Sequence, residues 1–347
     1  MRLQDGEYYL VFKATGFEDR EVCVGVNGGK SIKTIQLFPL DVKDIDEFDF
    51  SVKQTNVGRE MIKNVVAIKD QLDFNQYEYK CDVYIKAKEE RSTEQNQSNN
   101  DNDKEPIDPY EAEQELKRNK LGQLNNISLV EVEIERNYAP PKYVREFRNG
   151  YSKRGDDSRL YYATTAKSNI NFFKNMLYID DLSESPIQSP ISTAGILSYK
   201  YRLVEKIERR KAPTLNKIEI TPRNTSVSTL QGFIYVQDDT WLVEKIDLTI
   251  VKGNLYMYDY FQIIQDFDVS SDSLCILKKQ ELNYGVDYRK ESFKSQTIAT
   301  YKNYNFNPDF PPKFFGNEVA VTTKEAYERD SSYWGDTRMT PLSKEEI

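Results

Sequence analysis

Two pairs of adjacent carboxylates are the residues of this sequence whose types and spacing could support catalysis. Asp180-Asp181 and Asp238-Asp239 could act as acid and base in a glycosidase, where two carboxyl groups flank the scissile bond. Both pairs lie at predicted turns, where aspartate is common because its side chain hydrogen-bonds the nearby backbone. We therefore interpret them as turn residues and expect no catalytic residue among them.

The sequence contains no histidine among its 347 residues. A histidine-dependent nucleophile, a histidine zinc site and a histidine acid–base catalyst are therefore excluded for this chain. Its cysteines, Cys23, Cys81 and Cys275, lie too far apart for a metal knuckle, and each falls in an apolar strand pattern. We expect buried thiols, no metal site, no cofactor and no enzymatic activity.

Two loops resemble ligand-binding motifs but depart from them at a required position. GVNGGKS at residues 25–31 nearly matches a phosphate-binding loop, yet Gly25 is one residue too close to Lys30 and the stretch joins two strands. DNDKEP at residues 101–106 alternates oxygen ligands like a calcium loop, yet Pro106 stands where the turn requires glycine. A hairpin turn and a solvated acidic loop are the better interpretations.

The charge balance argues against a nucleic-acid partner. The chain has 48 basic and 56 acidic residues, a net charge of -8, and 38% hydrophobic residues, enough to build real cores. Its longest apolar runs fall short of the roughly 18 residues that a membrane-spanning helix requires. The first residues lack the features of a signal peptide, which taken alone predicts a cytoplasmic protein.

Strand patterns punctuated by turn residues dominate the chain. Short β-patterned runs within residues 6–38 precede an amphipathic helix at residues 57–72 and a strictly alternating strand at residues 77–87. The next stretch is rich in Asn, Gln, Asp and Glu, so we predict a disordered insertion at about residues 88–115. From Leu197 to Phe306, strands follow one another at short spacing and predict an antiparallel meander.

Between these parts, ISLVEVEIE at residues 127–135 alternates like a strand, and a loop with Pro140-Pro141 follows it. Residues 169–192 predict a short helix and a proline-broken loop. These segments would join the two halves of the sheet.

The pattern as a whole predicts a mainly β fold. We expect a partial β-sandwich at residues 1–52, a curved antiparallel half-barrel sheet packed on the amphipathic helix at residues 53–316, and a linker at residues 317–347. The hairpin at residues 230–250 alternates apolar and polar residues around an Asp-Asp turn. We expect this hairpin to form part of the wall of the curved sheet.

Several longer stretches carry a resemblance to a known family. From about residue 55 to the end they are, in order, YEYKCDVYIKA, NFFKNMLYIDDLSESPIQSPIS, LSYKYRLV, GFIYVQDDTWLVEKIDL, YNFNPDFPPKFFGNEV and DSSYWGDTRMTPLSKEE. They resemble a Bacteroidota outer-membrane family of unknown function, in which a carboxypeptidase-regulatory-like domain precedes a periplasmic domain and a membrane β-barrel. The chain would be a fragment that lacks the signal peptide, the first sandwich strands and the barrel.

The resemblance implies a place at the periplasmic face of the outer membrane and a half-barrel similar to that of periplasmic lipoprotein carriers and their regulators. The hairpin would contribute candidates for the concave or core side, namely Phe233, Tyr235, Trp241, Val243 and Ile246. These hairpin candidates would then bind an apolar ligand, such as a lipid or a lipoprotein acyl chain, in envelope biogenesis. The alternative is an interaction scaffold with a filled interior that couples the missing barrel to periplasmic proteins. An open and a filled interior give the same alternating pattern, so both interpretations stay open.

Asp272-Ser273-Leu274 resembles the short acceptor motif for periplasmic O-glycosylation in Bacteroidota. The resemblance implies modification at Ser273, and an ordinary turn is the alternative.

Overall fold

The predictions can be compared with a computed structural model of the chain. It describes residues 6–12, 20–26, 47–93, 127–161, 170–179, 182–183, 185–224, 229–251, 255–269, 274–288, 291–343 and 346. The loop at residues 101–106, Asp180-Asp181 and Ser273 lie outside these residues.

The chain divides into two compact units, residues 1–53 and 54–347. In the first unit, strands β1 (Gly6–Phe12) and β2 (Arg20–Val26) form an antiparallel hairpin. The predicted third strand at residues 31–38 and most of GVNGGKS lie outside the described residues. The β-sandwich therefore stays a prediction.

The second unit is built on one sheet of eleven strands, in the spatial order β15-β5-β4-β3-β14-β13-β12-β11-β10-β9-β8. All neighbours are antiparallel except β15, which pairs with β5 in parallel. A separate two-stranded ladder joins β6 to β7. The bounds are β3 (Tyr79–Thr93), β4 (Ile127–Ala139), β5 (Tyr143–Arg154), β6 (Met176–Leu177), β7 (Ile187–Gln188), β8 (Tyr199–Ile207), β9 (Leu215–Pro222), β10 (Leu230–Gln237), β11 (Val243–Ile250), β12 (Tyr260–Val269), β13 (Cys275–Tyr288), β14 (Glu291–Asn305) and β15 (Ala320–Thr322).

The predicted mainly β fold, with an antiparallel sheet packed on an amphipathic helix, is confirmed. Each strand from β8 to β13 is paired with the next strand in the sequence, so β8 to β14 form the predicted meander. Other regular elements are short: helices α2 (Gly195–Ser198) and α3 (Ser331–Thr337), and 3-10 turns at Phe74–Gln76 and Glu325–Glu328.

Helix α1 (Glu47–Leu72) begins ten residues before the predicted start. Its buried side chains include Met61, Ile62, Val65 and Leu72, which face the sheet, whereas Glu60 and Lys63 lie in solvent and pair with each other. The helix approaches β8 closely, since a Cβ atom at Gly58 would lie 2.8 Å from the backbone nitrogen of Leu203. A glycine is required there because larger residues would push the helix off the strand.

Two strands, β3 and β5, correct the sequence predictions. β3 continues to Thr93, so residues 88–93 belong to a strand and the predicted insertion cannot begin before residue 94. The charged residues that suggested a loop are paired: the Glu89 carboxylate is buried and accepts a bidentate hydrogen bond from Arg159. β5 was not predicted at all, because Pro140-Pro141 indicated a longer loop where the chain makes a tight turn.

The expected linker at residues 317–347 is also corrected. We call residues 320–346 the C-terminal strap, of which the structure describes 320–343 and 346. Within the strap, β15 pairs with β5 at the edge of the sheet. The residues after β15 pack on the outer face of the sheet, which is the face opposite α1. The Trp334 side chain is only 4% exposed, and a Cβ atom at Gly150 of β5 would lie 3.1 Å from its ring.

Buried charges fasten the strap to β3 and β4. The Arg338 guanidinium donates to both carboxylate oxygens of Glu131 at 2.6 and 2.8 Å, and the Tyr84 hydroxyl donates to the same carboxylate. The Lys86 ammonium lies 2.8 Å from the Glu346 carboxylate, and their side chains are 7% and 4% exposed. Both charges are shielded from water, so the attraction between them must offset the cost of burying them.

Replacing Glu346 by glutamine should therefore destabilise the unit by about 3 kcal/mol, because it leaves the Lys86 ammonium buried without its counterion. Urea denaturation measures the loss, and limited proteolysis should show earlier cleavage in the strap. Lys324→Ala is the matched control, since the Lys324 and Glu328 side chains are 86% and 65% exposed and their pair contributes little. Equal stability of Glu346→Gln and Lys324→Ala would contradict the role of the buried pair.

The same pair sets a pH dependence. Burial raises the pKa of the Glu346 carboxyl, but hydrogen bonds from Lys86 and the Ser343 amide outweigh it and keep the pKa below the usual 4.5. The stabilisation is therefore fully present above about pH 4.5 and is lost as the pH falls through the lowered value. Glu346→Gln should flatten this part of the stability profile.

Candidate functional site

The inner face of the sheet, the face toward α1, is the candidate site. Alternation along each strand places apolar side chains on this face and polar ones on the outer face. In β11, Ile246, Leu248 and Ile250 are buried on the inner face and the residues between them are half-buried on the outer one. The same phase holds for Phe261 and Ile263 of β12. The result is an apolar surface that must be covered.

A second element besides α1 covers it. We call residues 170–198 the inner segment, of which all but 180, 181 and 184 are described. Among its described residues, the regular structure consists of the β6–β7 ladder and the four-residue helix α2. Its buried apolar side chains are Ile170, Phe172, Phe173, Leu177, Ile179, Leu182, Ile187, Ile191 and Ile196.

The short helix expected in this segment is absent from residues 170–179, which form turns followed by β6. The side-chain oxygen Oδ1 of Asn171 accepts a hydrogen bond from the Phe173 backbone amide, at 2.9 Å. Such side-chain bonds to the nearby backbone compete with the hydrogen bonds of a helix. The sequence signal that could have identified the segment is its many apolar residues at irregular spacing between prolines.

Helix α1 holds the inner segment through its C-terminal turn. The buried Lys69 ammonium donates to the Phe173 carbonyl at 2.8 Å and to the Asn175 side-chain oxygen at 2.7 Å. Burial lowers the pKa of Lys69, and the neighbouring carboxylate of Asp70 partly opposes this shift. Just beyond the helix, the buried Asp73 carboxylate accepts hydrogen bonds from the Asn171 amide at 3.0 and 3.1 Å.

The sheet supplies further hydrogen bonds to the backbone of the inner segment. The Gln265 amide donates to the Ile170 carbonyl at 2.6 Å. The hydroxyls of Tyr199 and Tyr201 on β8 donate to the carbonyls of Gln188 and Pro190, each at 2.7 Å. Burial raises the pKa of both tyrosines, so both remain hydrogen-bond donors at any physiological pH.

Residues 156–161 cover the other end of the inner face. The Tyr161 amide donates to the Tyr284 hydroxyl at 2.7 Å, and the Tyr161 ring meets Phe261 edge to face. Tyr258 packs against both Phe261 and Tyr284. Helix α1, the inner segment and residues 156–161 thus all pack on the inner face.

The hairpin candidates divide between the two faces. Val243 and Ile246 are fully buried on the inner face, and Trp241 is half-buried against the same core. Phe233 and Tyr235 lie on the outer face, beneath the Lys217 ammonium at 4.4 and 5.8 Å from their ring centroids. Their predicted side is wrong, because FIYV is apolar throughout and fits either phase of alternation; the buried residues of β10 are Leu230, Ile234 and Val236.

Strand β11 also begins at Val243 rather than at Trp241. Asp239 and Trp241 have φ values of 65° and 60°, so the Asp-Asp turn continues through Trp241. The Asp238 carboxylate accepts from the Asn216 side chain at 3.3 Å and lies 3.5 Å from the Lys206 ammonium. These contacts agree with the prediction that Asp238-Asp239 is a turn pair.

A polar cluster is embedded in the inner core near the β4–β5 hairpin. The Arg136 guanidinium is 2% exposed, lies 3.9 Å from the fully buried Glu146 carboxylate and donates to the Tyr79 hydroxyl at 3.3 Å. Burial raises the pKa of the thiols of Cys81 and Cys275 to about 12. Both cysteines are buried and unpaired, as predicted, and the Cys23 side chain is outside the described part.

Within the described residues, no group of three or more cysteines, aspartates and glutamates is arranged to hold a metal ion. Over the same part of the chain, no helix is long and apolar enough to cross a membrane.

Exposed apolar side chains border the inner segment. Tyr178 and Leu197 of this segment are 74% and 72% exposed, and Tyr256 and Met257 in the loop before β12 are 54% and 60% exposed. The Tyr256 amide donates to the Leu182 carbonyl at 3.1 Å, so this loop contacts the inner segment directly.

Comparisons with known proteins identify a family. The profile of a family of unknown function (DUF5686) matches residues 61–304, which is more than half of the chain. No curated protein matches the chain.

Solved structures give distant likenesses. LolA superfamily protein NE2245 from Nitrosomonas europaea is 12% identical, with 74% of this chain and 97% of that chain covered and a TM-score of 0.28. A domain described as an outer membrane lipoprotein-sorting protein from Vibrio parahaemolyticus is 8% identical, with coverages of 75% and 97% and a TM-score of 0.33. A DUF1329 family protein from Desulfovibrio piger is 12% identical, with coverages of 76% and 98% and a TM-score of 0.27. Scores this low carry no argument about function.

The assignment of the hairpin residues to opposite faces can be tested by serine substitution. Ile246→Ser should cost about 3 kcal/mol or more, because it creates a cavity and buries a hydroxyl in an apolar core. Phe233→Ser should cost about 1 kcal/mol, chiefly the lost contact with Lys217. Thermal and urea denaturation measure both, and a larger loss for Phe233→Ser than for Ile246→Ser would reverse the two faces.

Proposed function

We propose that this chain, which belongs to the DUF5686 family of unknown function, is a non-enzymatic module that binds an apolar ligand on the inner face of its sheet. The ligand would be a lipid or a lipoprotein acyl chain, and it would take the place of the inner segment.

The proposal rests on the inner segment, which covers the inner face with almost no regular structure. A stable core is usually closed by helices or a second sheet, whereas here a segment with almost no regular structure lies across the inner face. Its apolar side chains do what the methylene groups of an acyl chain would do in the same place. The exposed side chains of Tyr178, Leu197, Tyr256 and Met257 would form the mouth through which the ligand enters.

The energies of the two occupants are of the same order. Burying an acyl chain gains about 0.8 kcal/mol per CH₂ group, and fully burying a large aliphatic or aromatic side chain gains about 1.5–3 kcal/mol. A long acyl chain can therefore offset the loss of several inner-segment side chains. The polar contacts of Lys69 and Asp73 would then set how readily the segment leaves.

The setting of this function follows the family resemblance. We place the module at the periplasmic face of the outer membrane in Bacteroidota, between a carboxypeptidase-regulatory-like domain and a membrane β-barrel, with periplasmic proteins as further partners. Glycosylation at Ser273 would agree with that location. Envelope biogenesis is the process that we assign to it.

A second function is favoured by the packed core. Because side chains of α1, the inner segment and the sheet form one continuous hydrophobic cluster, the second candidate is a rigid scaffold for envelope proteins. A scaffold requires no exchange of the inner segment and binds no lipid.

Loosening the inner segment separates the two functions. Lys69→Met removes the ammonium that donates to Phe173 and Asn175, which should raise the fraction of protein with bound lipid by up to about tenfold. The measurement is native mass spectrometry of the full chain after incubation with phosphatidylethanolamine–phosphatidylglycerol vesicles and, separately, with a triacylated lipopeptide.

Lys206→Met is the matched control, since the Lys206 ammonium is half-exposed and its contact with Asp238 lies outside the inner face. The proposal expects lipid adducts on the wild type, more on Lys69→Met and an unchanged amount on Lys206→Met. Clean protein masses for all three chains would contradict ligand binding and leave the scaffold.

A further inference from the structure

A depression on the outer face of the sheet has the composition of a sugar site. It encloses about 230 Å³ and is lined by Lys88, Glu90, Tyr260, Asn283, Lys294, Ser295 and Gln296. Pockets for drug-sized ligands measure roughly 300–1,000 Å³, so this one suits a single sugar-sized unit.

Strand register creates the depression. One cross-strand row runs Glu90, Lys294, Gly285, Tyr260, because Lys294 pairs with Glu90, Gly285 with Lys294, and Tyr260 with Gly285. Gly285 leaves a gap in this row, into which the Tyr260 ring leans: a Cβ atom at Gly285 would lie 2.6 Å from the Tyr260 ring. The ring is thereby fixed on the sheet surface while the residue stays 40% exposed.

The next row supplies amides in a fixed orientation. Gln296 pairs with Lys88 and Asn283 with Gln296 across the strands. The Gln296 amide donates to Glu281 at 2.9 Å and to the Asn283 side-chain oxygen at 3.1 Å, and the Asn283 amide donates to Gln262 at 3.2 Å. These bonds hold the two side chains in place before any ligand arrives.

The charges of the depression are close to balanced. Lys88 is paired with Glu90 and lies 3.4 Å from the Glu346 carboxylate, whereas Lys294 forms no ion pair with any residue that the structure describes. The pKa of Tyr260 is raised, mainly by partial burial of the tyrosine and further by the negative charge of the nearby Asp287. A dedicated anion site would carry a clear excess of cations, which is not the case here.

We infer that this depression binds an uncharged saccharide unit. A pyranose has an apolar face of C–H groups and a rim of hydroxyls that both donate and accept. The Tyr260 ring matches the face, and Lys294, Glu90 and the two amides match the rim. An apolar peptide side chain would meet only one apolar group, and every strand here is already paired on both sides, so a peptide strand cannot be added.

Saturation-transfer NMR on the full chain tests the site, with glucose, galactose, mannose, N-acetylglucosamine and their β-linked disaccharides as probes. Tyr260→Ala should weaken binding at least about fivefold through the lost ring contact, and Tyr260→Phe should retain it. Lys294→Ala should weaken binding by a similar factor.

Tyr327→Ala and Lys278→Ala are matched controls, since both residues are exposed and lie outside the depression. The inference expects both controls to bind like the wild type. It is overturned by the absence of saturation transfer from every probe, or by transfer that persists unchanged in Tyr260→Ala and Lys294→Ala. Neither result affects lipid binding on the inner face.

Discussion

One constraint governs this unit: its sheet is apolar on one face across most of its width and does not close on itself. β8 forms one edge and β15 the other, so the inner face cannot bury itself as the lining of a closed barrel would. It must be covered by other parts of the chain or by a ligand. The chain covers this face with helix α1, the inner segment and residues 156–161. The proposed function follows from the small amount of regular structure in the inner segment.

Part of the outer face is also covered by the chain, but there many of the contacts are polar. Near β3 and β4 it is covered by the C-terminal strap, through the buried ion pair Lys86–Glu346 and the partly buried pair Arg338–Glu131. Such pairs are demanding in geometry, so they fix where the strap lies more than they add stability. Farther along, at β12 to β14, the outer face carries the tyrosine and amides of the proposed saccharide depression. The two proposed sites therefore lie on opposite faces and can act independently.

Alternation and turn residues were enough to predict the meander, the helix and most strand bounds, because a period of two reports directly which face is buried. These sequence patterns failed where the alternation does not show which face of a strand is buried. FIYV around Phe233 is apolar on both faces, β5 carries the buried Glu146 on its inner face, and the strap contains too few apolar residues to indicate packing. In each case the deciding partner, such as Arg136 for Glu146, is distant in sequence. No local pattern could have indicated these contacts, nor shown which segments cover the inner face.

Hydrogen–deuterium exchange of the full chain, with and without a bound triacylated lipopeptide, tests the central claim most directly. The account predicts that peptides from the inner segment exchange faster when the lipopeptide is bound, because the ligand displaces that segment, while peptides from β9 to β12 keep their protection. If the lipopeptide binds and the inner segment stays as protected as before, the ligand lies elsewhere. The proposal that an apolar ligand replaces the inner segment would then be wrong.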